Sequence, residues 1–511
     1  MAAAMLGMVL GAAGAARAGG LTVKIAQGKL HGKAINGGKV NAYLGLPYAA
    51  PPVGLLRWRP PQPAPRWRGT RDASRYGARC MQGHEFPDMV FQDSGPSEDC
   101  LYLNVFAPAD AGAGSRLPVM FWIHGGGFQG GSASEPRHDG DFLPTRGVVL
   151  VTINYRLGVF GFLATPALAA EQSGAAGNYG LMDMVAALHW VKANIAPFGG
   201  DPANVTIFGE SAGSEAVSAL MAAAPARGLF ARAIGESGGA LDIGGPSRPS
   251  FQQVEQHDQA WVDSLGVDLA HLRDLPAQVV LETSLRKDAP HFRPLVDGRM
   301  LTEPVAVTYA AGRQAHVPLL AGWNRDEAPG GAEDMTAARW KEFAQKTFGE
   351  HAAEFLHYFP GNTGAEAVRS AIDYNSDSFI AFGTWRWVDA QVKTGDAPVY
   401  RYHFELPAPP SKFHPGSYAF HSDDIEYVFG TLDTRPGAVW RPEDRELSSA
   451  IMDYWTNFAR QGDPDGSGLP DWPRFDKTGE ILHLGHPITA EPDTTQARYE
   501  FLVKWMPRKR P

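Results

Sequence analysis

The stretch "VTIFGESAGSEAVSAL", beginning at Val205, places three structural demands side by side. Val205 to Phe208 is a β-branched, apolar run that reads as a buried strand, Gly209 to Gly213 is a sharp turn, and Ala216, Val217 and Leu220 recur at helical spacing. A strand that turns at once into a helix belongs to a sheet with helices packed on it, and it lifts the central side chain of the turn, Ser211, to the strand's carboxyl end. The G-x-S-x-G pattern alone proves little, because a chain with 58 glycines yields about 0.3 accidental matches. A second match does occur around Ser237. It follows a plausible strand, Ala231 to Ile234, but precedes "GGALDIGGPSRPS", from which no helix can start. Ser211 has the strand, the strained turn and the helix amino end that an exposed nucleophile needs, and Ser237 is read as coincidence.

The same alternation of elements extends along the chain. Val119 to Ile123, Val148 to Asn154, Val317 to Gly322, Val399 to Phe404 and Ile481 to Leu484 read as further buried strands. Between two of them, Leu181, Met184, Val185, Leu188, Val191 and Ile195 mark one face of a helix that Pro197, Gly199 and Gly200 stop. Repeated strand–helix–strand units predict an α/β fold with a mainly parallel sheet and helices on its faces. No internal repeat divides the chain, so residues 19–511 are expected to form a single catalytic domain. The regions 240–315 and 330–395, helical in pattern and poor in strand signals, are expected to pass over the top of the sheet.

Composition narrows the function classes. A chain of 511 residues with net charge −9 lacks the basic footprint of a nucleic-acid partner, and its short basic end (Lys504, Arg508, Lys509, Arg510) reads as a solvated tail. Residues 1–18, "MAAAMLGMVLGAAGAARA", are apolar, small and acid-free, and they end in Ala16-Arg17-Ala18, which fits a signal-peptide cleavage site and a periplasmic or secreted product. No other apolar run has the length to span a bilayer. The 2 cysteines, Cys80 and Cys100, exclude a disulfide-dense scaffold and a four-cysteine zinc site. They are either one bridge or two buried thiols.

A serine that attacks a carbonyl needs donors for the oxygen that becomes negative, and "WIHGGGFQGG" offers backbone N–H groups where no Cβ obstructs approach. No Gly-Lys-Ser/Thr completes a phosphate loop there. With both motifs in hand, the chain resembles the type-B carboxylesterases, the family that includes the cholinesterases, on the α/β-hydrolase fold. The resemblance runs from "YLGLPYAAPPVGLLRWRPPQP" and "SEDCLYLNVFAP", through "HGGGF", "NYRLGVFGFL", "GNYGLMDMVAALHWVKANIAPFGGDPANVTIFGESAG" and "GLFARAIGESGG", to "WTNFARQGDPDG". It implies an oxyanion hole from Gly126, Gly127 and Ala212, and a bridge between Cys80 and Cys100.

In this fold the order along the chain is serine, acid, histidine. "VPLLAGWNRDEAPGG" is similar to the family's acid loop, which makes Glu327 the acid, with Asp326 as the substitute; Ala328 stands where the family usually has glycine. "YAFHSDDIEYVFG" resembles the histidine loop, which makes His421 the base, with Asp424 where the family often has glutamate. His414 is the rival base, and His403, alternating within a strand, is read as structural. Glu210, beside the serine, is expected to lie behind these groups with its charge toward the histidine.

The reading is a serine hydrolase that forms an acyl-enzyme on neutral carboxylic esters, with a small-molecule ester as substrate and no cofactor and no metal required. A neutral His421 predicts that kcat/KM falls on acidification through roughly pH 6 to 7. The loop between the cysteines lacks the tryptophan that faces choline in the cholinesterase branch; Phe86, Met89 and Phe91 are expected to supply an apolar rim instead. The alternatives are a lipase or amidase with the same triad, or a binding module of the same fold.

Overall fold

The computed structural model describes residues 21–506 except Glu85, Ser247, His414 and Pro415. The expected leader at 1–18, the rival His414 and the tail arginines Arg508 and Arg510 lie outside the described residues.

One large sheet organises the chain. Its strands are Lys33–Ile35 (β1), Val40–Pro47 (β2), Tyr102–Pro108 (β3), Leu117–Ile123 (β4), Val149–Ile153 (β5), Gly200–Glu210 (β6), Arg232–Glu236 (β7), Leu319–Asn324 (β8), Val399–Phe404 (β9), Glu480–Leu484 (β10) and Thr489–Pro492 (β11). Their spatial order is β11-β10-β9-β8-β7-β6-β4-β5-β3-β2-β1. Every pairing from β5 through β10 is parallel, whereas β3, β2 and β1 at one edge and β11 at the other pair antiparallel. The expected α/β architecture is therefore present, with each expected strand inside it.

Strand periodicity explains why both faces are covered. Successive side chains point to opposite faces: Val119, Phe121 and Ile123 of β4 enter one core, while Met120 and Trp122 enter the other. The main helices are Tyr179–Asn194 (α1), Ala212–Ala222 (α2), Phe251–Ser264 (α3), Ala337–Phe348 (α4), Phe382–Thr394 (α5) and Pro442–Gln461 (α6). The first core takes Leu188 of α1, Val217 of α2 and Trp387 of α5, and the second takes Ile451, Trp455 and Phe458 of α6. Each large side chain buried this way contributes roughly 1.5–3 kcal/mol.

The helix α1 departs from its expected single apolar face, because it is buried almost all round. Two of its buried polar groups have partners there. Asp183 accepts from Arg156 Nη2 at 2.7 Å and from Arg156 Nε at 2.8 Å, and Asn194 accepts from the backbone of Ala26 at 3.0 Å, tying the N-terminal segment over the helix. The two helical excursions are also present: α3 lies in the first, and Trp340, Phe348 and Phe355 of the second build a separate core with Tyr499 of the C-terminal helix Gln496–Trp505. Cys80 and Cys100 are bonded, with Cα atoms 4.9 Å apart.

Candidate active site

Ser211 sits at the junction of β6 and α2, with φ 55° and ψ −122°, a conformation that L-residues rarely occupy and that functional turns retain. The flanking glycines are required by close approach. A Cβ on Gly213 would lie 2.0 Å from the Ile123 carbonyl oxygen, and one on Gly209 would lie 2.5 Å from the same atom. The turn is thus pressed against the end of β4, which holds Ser211 beside the loop that leaves that strand.

That loop carries Gly126 and Gly127, with φ 100° and 61°. Its entry is fixed by His124, which is buried, stacks on Tyr155 with ring centroids 4.5 Å apart, and hydrogen-bonds through Nδ1 to the Gly125 carbonyl at 2.8 Å. Burial lowers the His124 imidazole to about 4 and keeps it neutral. Among the described residues, the N–H groups of Gly126, Gly127 and Ala212 have no acceptor, and the three residues line the same cavity as Ser211. They are donors without partners at the amino end of α2, an arrangement suited to a developing negative charge.

Three distant segments meet at Ser211. His421 Nε2 lies 2.9 Å from Ser211 Oγ, and His421 Nδ1 donates to Glu327 Oε2 at 2.7 Å. Glu327 is buried, and its other oxygen accepts from the Asn324 backbone at 2.8 Å and from Ser237 Oγ at 2.5 Å. Ser237 is therefore not without a contact of its own: it directly follows β7, next to the end of β8 from which the Glu327 loop departs, and it holds the Glu327 carboxylate. Its pattern lacks a following helix, and nothing in its local sequence points to this contact.

Asp326 turns away from the histidine. It accepts from Arg369 at 2.6 Å and from the Ala419 backbone at 3.1 Å; against the effect of burial, Arg325 and Arg369 hold its carboxyl below the usual range. It pins the acid loop to the histidine loop. Asp424 likewise does not touch His421: it accepts from Asn324 Nδ2 and Tyr402 OH, each at 3.1 Å. Glu210 is buried, accepts from Ser422 Oγ at 2.9 Å, and has an oxygen 3.3 Å from His421 Nε2.

Electrostatics follow from this geometry. Burial opposes a charge on His421, but the Glu210 and Glu327 carboxylates outweigh it and raise the imidazole to about 9. Burial pushes Glu210 up to about 7, with the His421 cation acting in the opposite direction. The expected fall in kcat/KM therefore moves from pH 6–7 to higher pH.

The cavity in front of Ser211 measures about 2270 Å³, well above the 300–1,000 Å³ or so typical of ligand pockets. Phe86 and Met89 line it as expected. Phe91 does not; it lies under the Arg79 guanidinium, 4.8 Å from ring centroid to charge, an attraction that holds it in the loop. Phe379, which the sequence did not single out, stands edge-on to His421 at 4.9 Å.

Comparison with known proteins agrees with the geometry. The model of the "Carboxylesterase family" matches residues 20–502. Fumonisin B1 esterase of Sphingopyxis macrogoltabida is 36% identical over 484 residues, covering 88% of this chain and 84% of its own. Para-nitrobenzyl esterase of Bacillus subtilis is 36% identical over 496 residues, covering 91% and 95%. A solved PNB esterase structure superposes with a TM-score of 0.79 at 33% identity, covering 95% of this chain and 99% of that one. The chain belongs to the carboxylesterase family and is a hydrolase of carboxylic ester bonds.

Proposed function

We propose that Ser211 is the nucleophile, His421 the general base and acid, and Glu327 the group that orients and stabilises the imidazole. The observation that carries this reading is the unbroken hydrogen-bonded series Ser211–His421–Glu327 beside unpaired backbone donors. His421 takes the Ser211 proton as Oγ adds to the ester carbonyl, and the N–H groups of Gly126, Gly127 and Ala212 hold the oxyanion. The tetrahedral species collapses, His421 protonates the leaving alcohol, and the acyl group stays on Ser211. Water, activated by His421, then releases the acid. Glu210 favours the imidazolium that forms in both steps.

The substrate in this reading is a neutral, bulky ester. Apolar walls from Phe86, Met89, Phe162, Phe292 and Phe379 support it, as do cavity charges that already have partners: Arg248 with Asp242, and Arg293 with Glu215. Residues 19–511 act as one catalytic domain, exported after removal of 1–18; the Cys80–Cys100 bridge supports an oxidising compartment. Among the described residues, no helix is long and apolar enough to cross a membrane.

Turnover of p-nitrophenyl esters of increasing acyl length, set against the matching anilides, tests the substrate class. Faster ester hydrolysis is expected; faster anilide hydrolysis would overturn it in favour of an amidase. Amino-terminal sequencing of the mature protein tests export, with a start at Gly19 expected and an intact residue 1 the contrary result.

A further inference from the structure

At the far edge of the sheet, His403 of β9 stands directly opposite His483 of β10 in the parallel ladder. Opposed residues on paired strands present their side chains to the same face, and so do residues two apart on one strand. Glu405 follows β9 by one residue and continues the ladder by donating its N–H to the Leu484 carbonyl at 3.0 Å, so its carboxylate joins the two imidazoles. His403 Nδ1 and His483 Nδ1 each lie 2.7 Å from the same oxygen, Glu405 Oε1. The donor atoms of all three side chains lie within 4.8 Å of one another.

We propose that His403, Glu405 and His483 form a binding site for a divalent transition-metal cation, with Zn²⁺ the best match to two imidazoles and a carboxylate. Both Nδ1 atoms converge on one point, which the carboxylate oxygen now occupies. A cation there takes both nitrogens and the same oxygen once Glu405 withdraws by roughly the 2 Å of a metal–ligand bond. Each imidazole then carries its proton on Nε2, the tautomer with Nδ1 free to coordinate. Solvent completes the coordination, because the three side chains are 22%, 31% and 19% exposed in the order His403, Glu405, His483. Trp323 packs against the His403 ring at 6.2 Å and limits its rotation. The surrounding charges balance: Glu491 of β11 adds negative charge, and Arg401, two residues before His403, has its own partner in Asp493.

None of the three residues lines the Ser211 cavity, so this site is independent of ester hydrolysis. A bound cation would cross-link β9 to β10 and stabilise the native chain by mass action.

The test uses the full, untagged chain after chelation. Zn²⁺ titrated by calorimetry should bind in a saturable step of one equivalent and raise Tm, while His403→Gln and His483→Gln should weaken that step by at least about tenfold and leave p-nitrophenyl ester turnover unchanged. Co²⁺ bound to the unaltered protein gives a second readout, a visible absorption band that Zn²⁺ displaces, which depends on no variant folding. Absence of a saturable step, or equal uptake by wild type and both variants, would overturn the assignment.

Discussion

Ser237 Oγ donates to Glu327 Oε1 at 2.5 Å while His421 Nδ1 holds the opposite oxygen of the same carboxylate. The proposed acid is thereby held at both carboxylate oxygens, by Ser237 and the Asn324 backbone on one and by His421 on the other. Ser237→Ala removes a hydrogen bond to a charged group, worth about 1.5–3 kcal/mol. Expressed in the transition state, that loss lowers kcat/KM by about tenfold or more. Steady-state kinetics on a p-nitrophenyl ester measures it; unchanged kinetics would mean that Asn324 alone suffices to hold the carboxylate.

Glu210 sets the acid limb of the pH profile. The base must be neutral, and two carboxylates raise the pKa of its cation, so activity is lost as pH falls through that raised value. The wild-type limb of kcat/KM is expected above the ordinary histidine range, and Glu210→Gln should move it down by about one pH unit. A wild-type limb near 6.5 that the variant leaves in place would contradict this assignment.

The buried pair of Arg156 and Asp183 supports the connection between β5 and α1. Arg156→Ala strands a buried carboxylate and should cost about 3–5 kcal/mol of stability. Pairing it with Asp183→Asn should restore part of that loss. Urea unfolding of the single and double variants checks both statements; equal stability of wild type and Arg156→Ala would sink them.

The bridge between Cys80 and Cys100 closes a loop with a sequence separation of 20, worth about 3 kcal/mol through the unfolded chain. Replacing both cysteines by serine should lower Tm, and it should raise KM more than it lowers kcat, because Phe86 and Met89 ride on that loop. A variant with unaltered Tm would contradict the first expectation, and one with unaltered KM the second.

Much of this was legible in the sequence because the informative features are local. The apolar, β-branched runs of β4 and β6 and the glycines around Ser211 each answer to a constraint within a few residues, and the structure has strands and a tight turn at those positions. The contacts of Ser237 and Asp326 were not legible, for the opposite reason. Their partners, Glu327 and Ala419, are 90 and 93 residues away, and nothing near either residue encodes the pairing. The same holds for α1, against which Arg156 and the N-terminal segment are brought by the fold. Phe91 looked like a rim residue by composition, but Arg79, reached only through the fold, claims it.

The most direct measurement of the central claim is mass spectrometry of the protein quenched during turnover of a slow ester, or after reaction with a fluorophosphonate. A single adduct is expected on the peptide containing Ser211, absent in Ser211→Ala and formed much more slowly in a variant lacking the His421 imidazole. Labelling of Ser211→Ala at the wild-type rate, or an adduct on any other residue, would contradict it.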